Sequence, residues 1–86
     1  MNPHEYIGER VHAAMWVQRV TQKQLAAHLH VAQPTVARKL RGERPWSVED
    51  ILGACVLLSL APADLLPPVT EWAASRADPA REAVAP

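Results

Sequence analysis

The chain has 86 residues, enough for one compact domain and too few for two, because a chain this short buries only a limited share of its surface. Hydrophobic residues make up 49% and charged residues 21%, the balance of a globular protein, with proline and glycine gathered at junctions and towards the C-terminal end. Formal net charge is zero, which by itself argues against a nucleic-acid partner. The distribution reverses that argument. Between positions 19 and 44 stand Arg19, Lys23, Arg38, Lys39, Arg41 and Arg44 against Glu43 alone, a local charge of +5 framed by an acidic remainder. Local field rather than total charge decides whether a phosphate backbone is attracted.

Cys55 is the sole cysteine, which excludes an intramolecular disulfide and a cysteine-based metal site and suits a reducing compartment. The N-terminal stretch lacks a basic start followed by an apolar run. The longest apolar stretch, Ile51 to Ala63, is too short to span a bilayer, so a cytoplasmic protein without membrane contact is expected.

The first predicted element runs from about His4 to Arg19. Tyr6, Ile7, Val11, Ala14, Met15 and Val17 or Gln18 recur at spacings of three and four, and Asn2-Pro3 supplies a cap and a first-turn proline. Thr21 with Gln24 three residues later forms a capping box for a second helix of about nine residues carrying Leu25, Ala26 and Leu29. A helix this short cannot persist alone and must be held by packing. After His30, Val31 and Ala32, a third helix opens at Gln33-Pro34, carries Val36 and Leu40, and is closed by Gly42. Ser47 and Asp50 cap a fourth, the most apolar, with Val48, Ile51, Leu52, Cys55, Val56, Leu58 and Leu60. Pro62 to Leu66 adds one further turn before Pro67-Pro68. The expectation is an all-α, five-helix domain over residues 1–68. Residues 69–86 form a tail with one short helix from Thr70 to about Arg76, anchored by Trp72.

Two short helices joined by a tight turn, the second opening on exposed polar residues, is the arrangement that places side chains against base edges in the major groove. Residues 21 to 42 have this arrangement. The stretch TQKQLAAHLHVAQPTVARKLRGERPWSVEDILGACVLLSLAPADLL resembles the Cro and repressor type of helix-turn-helix regulators of phages and bacteria, with the resemblance extending over residues 7 to 66. It departs from that family at the turn, where His30 stands in place of the usual glycine, and at Pro34, which takes a position that many relatives use for a polar base contact.

The resemblance implies a lambda-repressor-like fold and a double-stranded DNA operator as partner. It implies an adenine-reading role for Gln33, with Pro34, Thr35 and Arg38 as its neighbours in base contact, Pro34 against a thymine methyl and Arg38 on guanine. A cap for Gln33 and a phosphate for Arg38 are the competing roles. Gln22, Lys23, Lys39, Arg41 and Arg44 are assigned to phosphates. Operators of this kind are read by pairs of chains, and Val56, Leu60, Leu65 and Trp72 are the candidates for a homodimer contact. The short length favours a Cro-like regulator over a longer repressor. His12, His28 and His30 do not converge at metal-ligand spacing, and no nucleophile, base and phosphate-loop combination can be assembled. No metal, cofactor, small-molecule substrate or enzymatic activity is expected. Trp16 and Trp46 are expected as core or interface anchors, Trp46 pinning its loop. The alternative is an antitoxin-like interaction module in which the tail clasps a partner protein.

Overall fold

The computed structural model describes residues 2–70. It contains α1 (Pro3–Gln18), α2 (Gln22–Leu29), α3 (Gln33–Leu40), α4 (Val48–Leu58) and the single turn α5 (Pro62–Leu65), with no strand among the described residues. Trp72 and all but the first residue of the expected tail helix lie outside the described residues, as does the tail of the interaction-module alternative.

Every helix but α3 starts where a side chain pairs with a backbone N–H of its first turn or cap. The Asn2 side chain accepts from the Glu5 N–H at 2.9 Å, with Pro3 at the first helical position. Thr21 and Gln24 form the reciprocal capping box at 2.8 and 3.1 Å, and Ser47 and Asp50 repeat it at 2.9 and 3.0 Å. The Asp64 carboxylate accepts from the Ala61 N–H at 2.9 Å and starts α5.

The core joins Ile7, Val11 and Met15 of α1, Leu25 and Ala26 of α2, Val36 of α3, Trp46 of the loop after it, Ala54, Cys55 and Leu58 of α4, and Leu65 of α5. Helix α1 lies across α3, α4 and α5, and α2 packs on both α3 and α4. The crossing of α1 and α3 is close because Gly8 has no side chain: a β-carbon there would collide with the Leu40 carbonyl oxygen. Two expectations are corrected here. Leu65 is fully buried and closes the core beneath α5, so it has no surface to offer a second chain; Leu60 is half-buried against the same core. Val17 faces solvent rather than the core, whereas Gln18 donates to the Leu58 carbonyl at 2.7 Å.

Helices α1, α2 and α4 all close in the same way, without glycine. Arg19, His30 and Ser59 adopt left-handed backbone at φ 58, 58 and 55°, and the N–H of the next residue reaches back to Met15, Ala26 and Cys55 in turn at 2.9 to 3.1 Å. The hydrogen bonds satisfy carbonyls the helix ends leave free, at the steric cost of a β-carbon in that region. His30 therefore does make the turn that a glycine ordinarily makes. Gly42, at φ 77°, supplies the one left-handed glycine, after α3, and it also lies against Glu5.

Two stability measurements check this account. Gly8→Ala forces α1 away from the Leu40 carbonyl and is expected to cost about 2–3 kcal/mol in urea unfolding. His30→Gly relieves the left-handed strain and, after the greater freedom of glycine in the unfolded chain is set against it, raises stability by about 0.5–1 kcal/mol.

Candidate nucleic-acid interface

Helix α3 opens on Ala32, whose side chain cannot cap, so the first turn is left bare of side-chain hydrogen bonds. Pro34 removes one of the donors that a cap would have served. At this uncapped end Gln33 and Pro34 are exposed, Thr35 is half-buried and Arg38, one turn on, is exposed again. At 100° per residue Gln33, Pro34, Ala37 and Arg38 share one face, opposite the buried Val36, while Thr35 lies at its edge. Gln22, the first residue of α2, lines the same shallow depression as Gln33, Pro34 and Ala37. The two helix N-termini, each the positive end of its peptide dipoles, thus open on one patch of surface.

None of Gln22, Lys23, Gln33, Thr35, Arg38 and Arg44 spends its side chain on a hydrogen bond or ion pair among the described residues. Their polar groups are free for an external partner. Gln33 is not a cap, which removes the competing role considered for it.

Comparison with solved structures finds a similar overall fold elsewhere. The restriction-modification controller protein C.AhdI from Aeromonas hydrophila superposes with a TM-score of 0.66 at 24% identity, covering 72% of this chain and 94% of its own. Two structures of the clp gene regulator ClgR from Corynebacterium glutamicum give TM-scores of 0.67 and 0.69 at 22% and 25% identity, covering 88% and 93% of this chain and 94% and 82% of theirs. The fold is that of the Cro/C1-type helix-turn-helix regulators. No protein-family model and no curated protein matches the sequence. Both neighbours are regulators rather than enzymes. No helix among the described residues is long and apolar enough to cross a membrane.

Within this Cro/C1-type frame the basic stretch divides. Lys39, expected on a phosphate, points the other way. It is 9% exposed, and its ammonium donates to the Asp50 carboxylate at 2.6 Å and to the Pro45 carbonyl at 2.9 Å. The signal was present in the sequence, since Lys39 is three residues from the inward-facing Val36 and beside Leu40 on the same side of α3. Arg41 is exposed but already bonded to Glu43 through two 3.1 Å hydrogen bonds. Those bonds raise the Arg41 pKa and lower that of Glu43, which also feels Arg38. Arg19, Lys23, Arg38 and Arg44 remain as exposed cations without an ion-pair partner among the described residues. Ala37, in the floor of the depression, is a residue that sequence reasoning passed over.

Around Lys39 the loop between α3 and α4 is pinned at every turn. The Trp46 indole N–H donates to the Lys39 carbonyl at 2.9 Å with its ring buried, and the Trp46 backbone N–H donates to His4 Nδ1 at 2.9 Å. Burial pushes the Asp50 carboxyl up, but the hydrogen bonds from Lys39 and Ser47 outweigh it and leave its pKa below the ordinary aspartate value. A depressed folded pKa contributes stability that is present above the unfolded value, about pH 4, and is lost as pH falls through the folded one.

Removing the cation alone leaves a nearly buried carboxylate unpaired. Lys39→Met is expected to cost about 3 kcal/mol in urea unfolding at neutral pH, with much of the loss recovered in the Lys39→Met, Asp50→Asn double variant. In Asp50→Asn the fall in stability between about pH 5 and pH 2 becomes shallower than in the wild type.

Proposed function

We propose that the chain is a sequence-specific double-stranded DNA-binding transcriptional regulator that reads its operator in the major groove with α3. The observation that carries this reading is the patch shared by the N-termini of α2 and α3. It combines an uncapped helix start, a free Gln33 amide, a free Arg38 guanidinium and exposed cations to either side. A side-chain amide makes a bidentate pair with the edge of adenine, and a guanidinium with the two acceptors of guanine. Gln22 reaches the phosphate flanking the same base pairs from the start of α2. Pro34 meets a thymine methyl. Lys23 and Arg44 take phosphates, and Arg41 does so when it lets go of Glu43.

The neighbours support the same class of activity, one being a restriction-modification controller and the other a clp gene regulator. Two chains reading two half-sites about one helical turn apart, roughly 34 Å, complete the proposal, since eight residues of recognition helix cover only a few base pairs. The operator is sought first in the duplex upstream of the chain's own gene.

Fluorescence anisotropy or mobility shift with that duplex, against unrelated competitor DNA and at several salt concentrations, tests the assignment. Gln33→Ala and Arg38→Ala are expected to weaken operator binding by about 1–3 kcal/mol each, about 5- to 150-fold, and to leave competitor binding nearly unchanged. Lys23→Ala and Arg44→Ala should instead weaken both and reduce the salt slope by about one. Equal binding to all duplexes, unaltered by the two α3 variants, would refute base reading through α3.

A further inference from the structure

Helix α4 is apolar on both sides. Asp50, Ala54, Cys55 and Leu58 are buried against the other helices, yet Val48, Leu52 and Val56 are 72, 50 and 71% exposed. At 100° per residue these three fall within an 80° arc on the outer side of the helix, with Glu49 just beyond one edge of the arc and the cap residue Ser59 past its C-terminal end. A surface helix normally gives that side to polar residues, and one that is apolar all round is one that becomes covered.

We infer that this stripe is the contact between two copies of the chain, with α4 packed antiparallel on α4 about a two-fold axis at Leu52. The symmetry of the stripe favours a second copy of this chain over another occupant, and two further observations favour the antiparallel helix packing. The stripe reads Val, Leu, Val at equal spacings of four, the same in both directions. That is the symmetry an isologous contact requires: Leu52 meets Leu52, and Val48 of one chain meets Val56 of the other. The only ionisable side chain at the edge of the outer arc is Glu49. Parallel pairing would set the two Glu49 carboxylates side by side, whereas antiparallel pairing separates them by about 9 Å along the axis, at opposite rims. Finally, rows of side chains four apart are the ridges that interlock when two helices pack.

The pairing deepens the two-half-site reading above, but it is measurable without DNA and so stands or falls separately. It also sets a magnitude. Three side chains are few beside the roughly 20–30 residues a side of a standard interface, so the free dimer dissociates in the micromolar range or weaker, and a two-half-site duplex tightens it. Of the residues first considered for this contact, Val56 alone lies on the stripe.

Engineered cysteines in the full chain give the decisive readout when placed in a Cys55→Ala background, because Cys55, though 6% exposed, lies only about 60° around α4 from Leu52. Under mild oxidation Leu52→Cys is expected to cross-link to itself, and its alkylation to slow as protein concentration rises. Val48→Cys and Val56→Cys should cross-link poorly alone and efficiently when mixed. In sedimentation equilibrium Leu52→Lys should weaken self-association at least tenfold with far-UV circular dichroism and thermal midpoint preserved, while Trp16→Ser, on the other exposed apolar patch, leaves it unchanged. Self-linking of Val48→Cys would overturn the antiparallel geometry. Failure of Leu52→Cys to link, dissociation by Trp16→Ser but not Leu52→Lys, or protection of residue 52 that does not vary with concentration would overturn the face itself. The last outcome would mean that another part of the same chain covers it.

Discussion

The patch proposed to read DNA is held in place by an ion pair that lies outside it. Lys39 leaves the basic stretch to meet Asp50 at 2.6 Å on the inner side of α3, and Asp50 is at once the capping residue of α4. One carboxylate oxygen therefore ties the last turn of α3 to the first turn of α4, with Pro45 and Trp46 bonded to the same lysine between them. Eight-residue helices such as α2 and α3 have little stability of their own in water, so their orientation depends on such ties and on the core. The pair's contribution is geometric before it is energetic. Replacing a buried pair by apolar groups is often neutral, whereas breaking it is not, which makes Lys39–Asp50 a specification of where α3 sits rather than a source of surplus stability.

Polar groups are thus divided between two tasks. Lys39 on the inner side of α3 and the Trp46 indole after it are satisfied within the molecule, and no buried side-chain polar atom among the described residues lacks a partner. Those at the uncapped start of α3, with Gln22 and Lys23 of α2, are left to water, where that costs little, and can be desolvated against a ligand that supplies matching partners. The same division explains how a chain of zero formal charge can suit a polyanion. At physiological ionic strength the screening length is about 8 Å, so acidic groups on the far side of the domain scarcely weaken the field at the ends of α2 and α3.

How much of this was visible in the sequence follows from the range of each interaction. Caps and turns are local: Asn2, Thr21 with Gln24, and Ser47 with Asp50 announced the helix starts because their bonds span three residues. His30 in a left-handed turn was foreseeable too, from its place between two helices too short to be one. Lys39 was misplaced because a lysine in a basic run reads as solvated, and only the position of Asp50, eleven residues on, makes an inward lysine tolerable. Leu65 was taken as available for an interface because one turn between prolines looks superficial; the packing of α1 over it is non-local. The bond from Trp46 to His4 spans 42 residues, and no spacing rule would reveal it.

Two of the exposed apolar patches among the described residues differ in kind. Trp16 and Val17, 82 and 78% exposed, lie near the end of α1 beside Thr21, while the Val48-Leu52-Val56 stripe lies on α4. A small domain does not gain by exposing either, since burying one such side chain contributes about 1.5–3 kcal/mol. The difference between them is symmetry. Trp16 and Val17 are adjacent in sequence and form a patch with no two-fold pattern, whereas the α4 stripe is its own complement. A regulator that is weakly associated in solution and pairs more strongly on a two-half-site duplex would make occupancy depend on the square of its concentration while dimers are scarce. The modest size of the stripe, rather than its hydrophobicity, is the feature that sets that dependence.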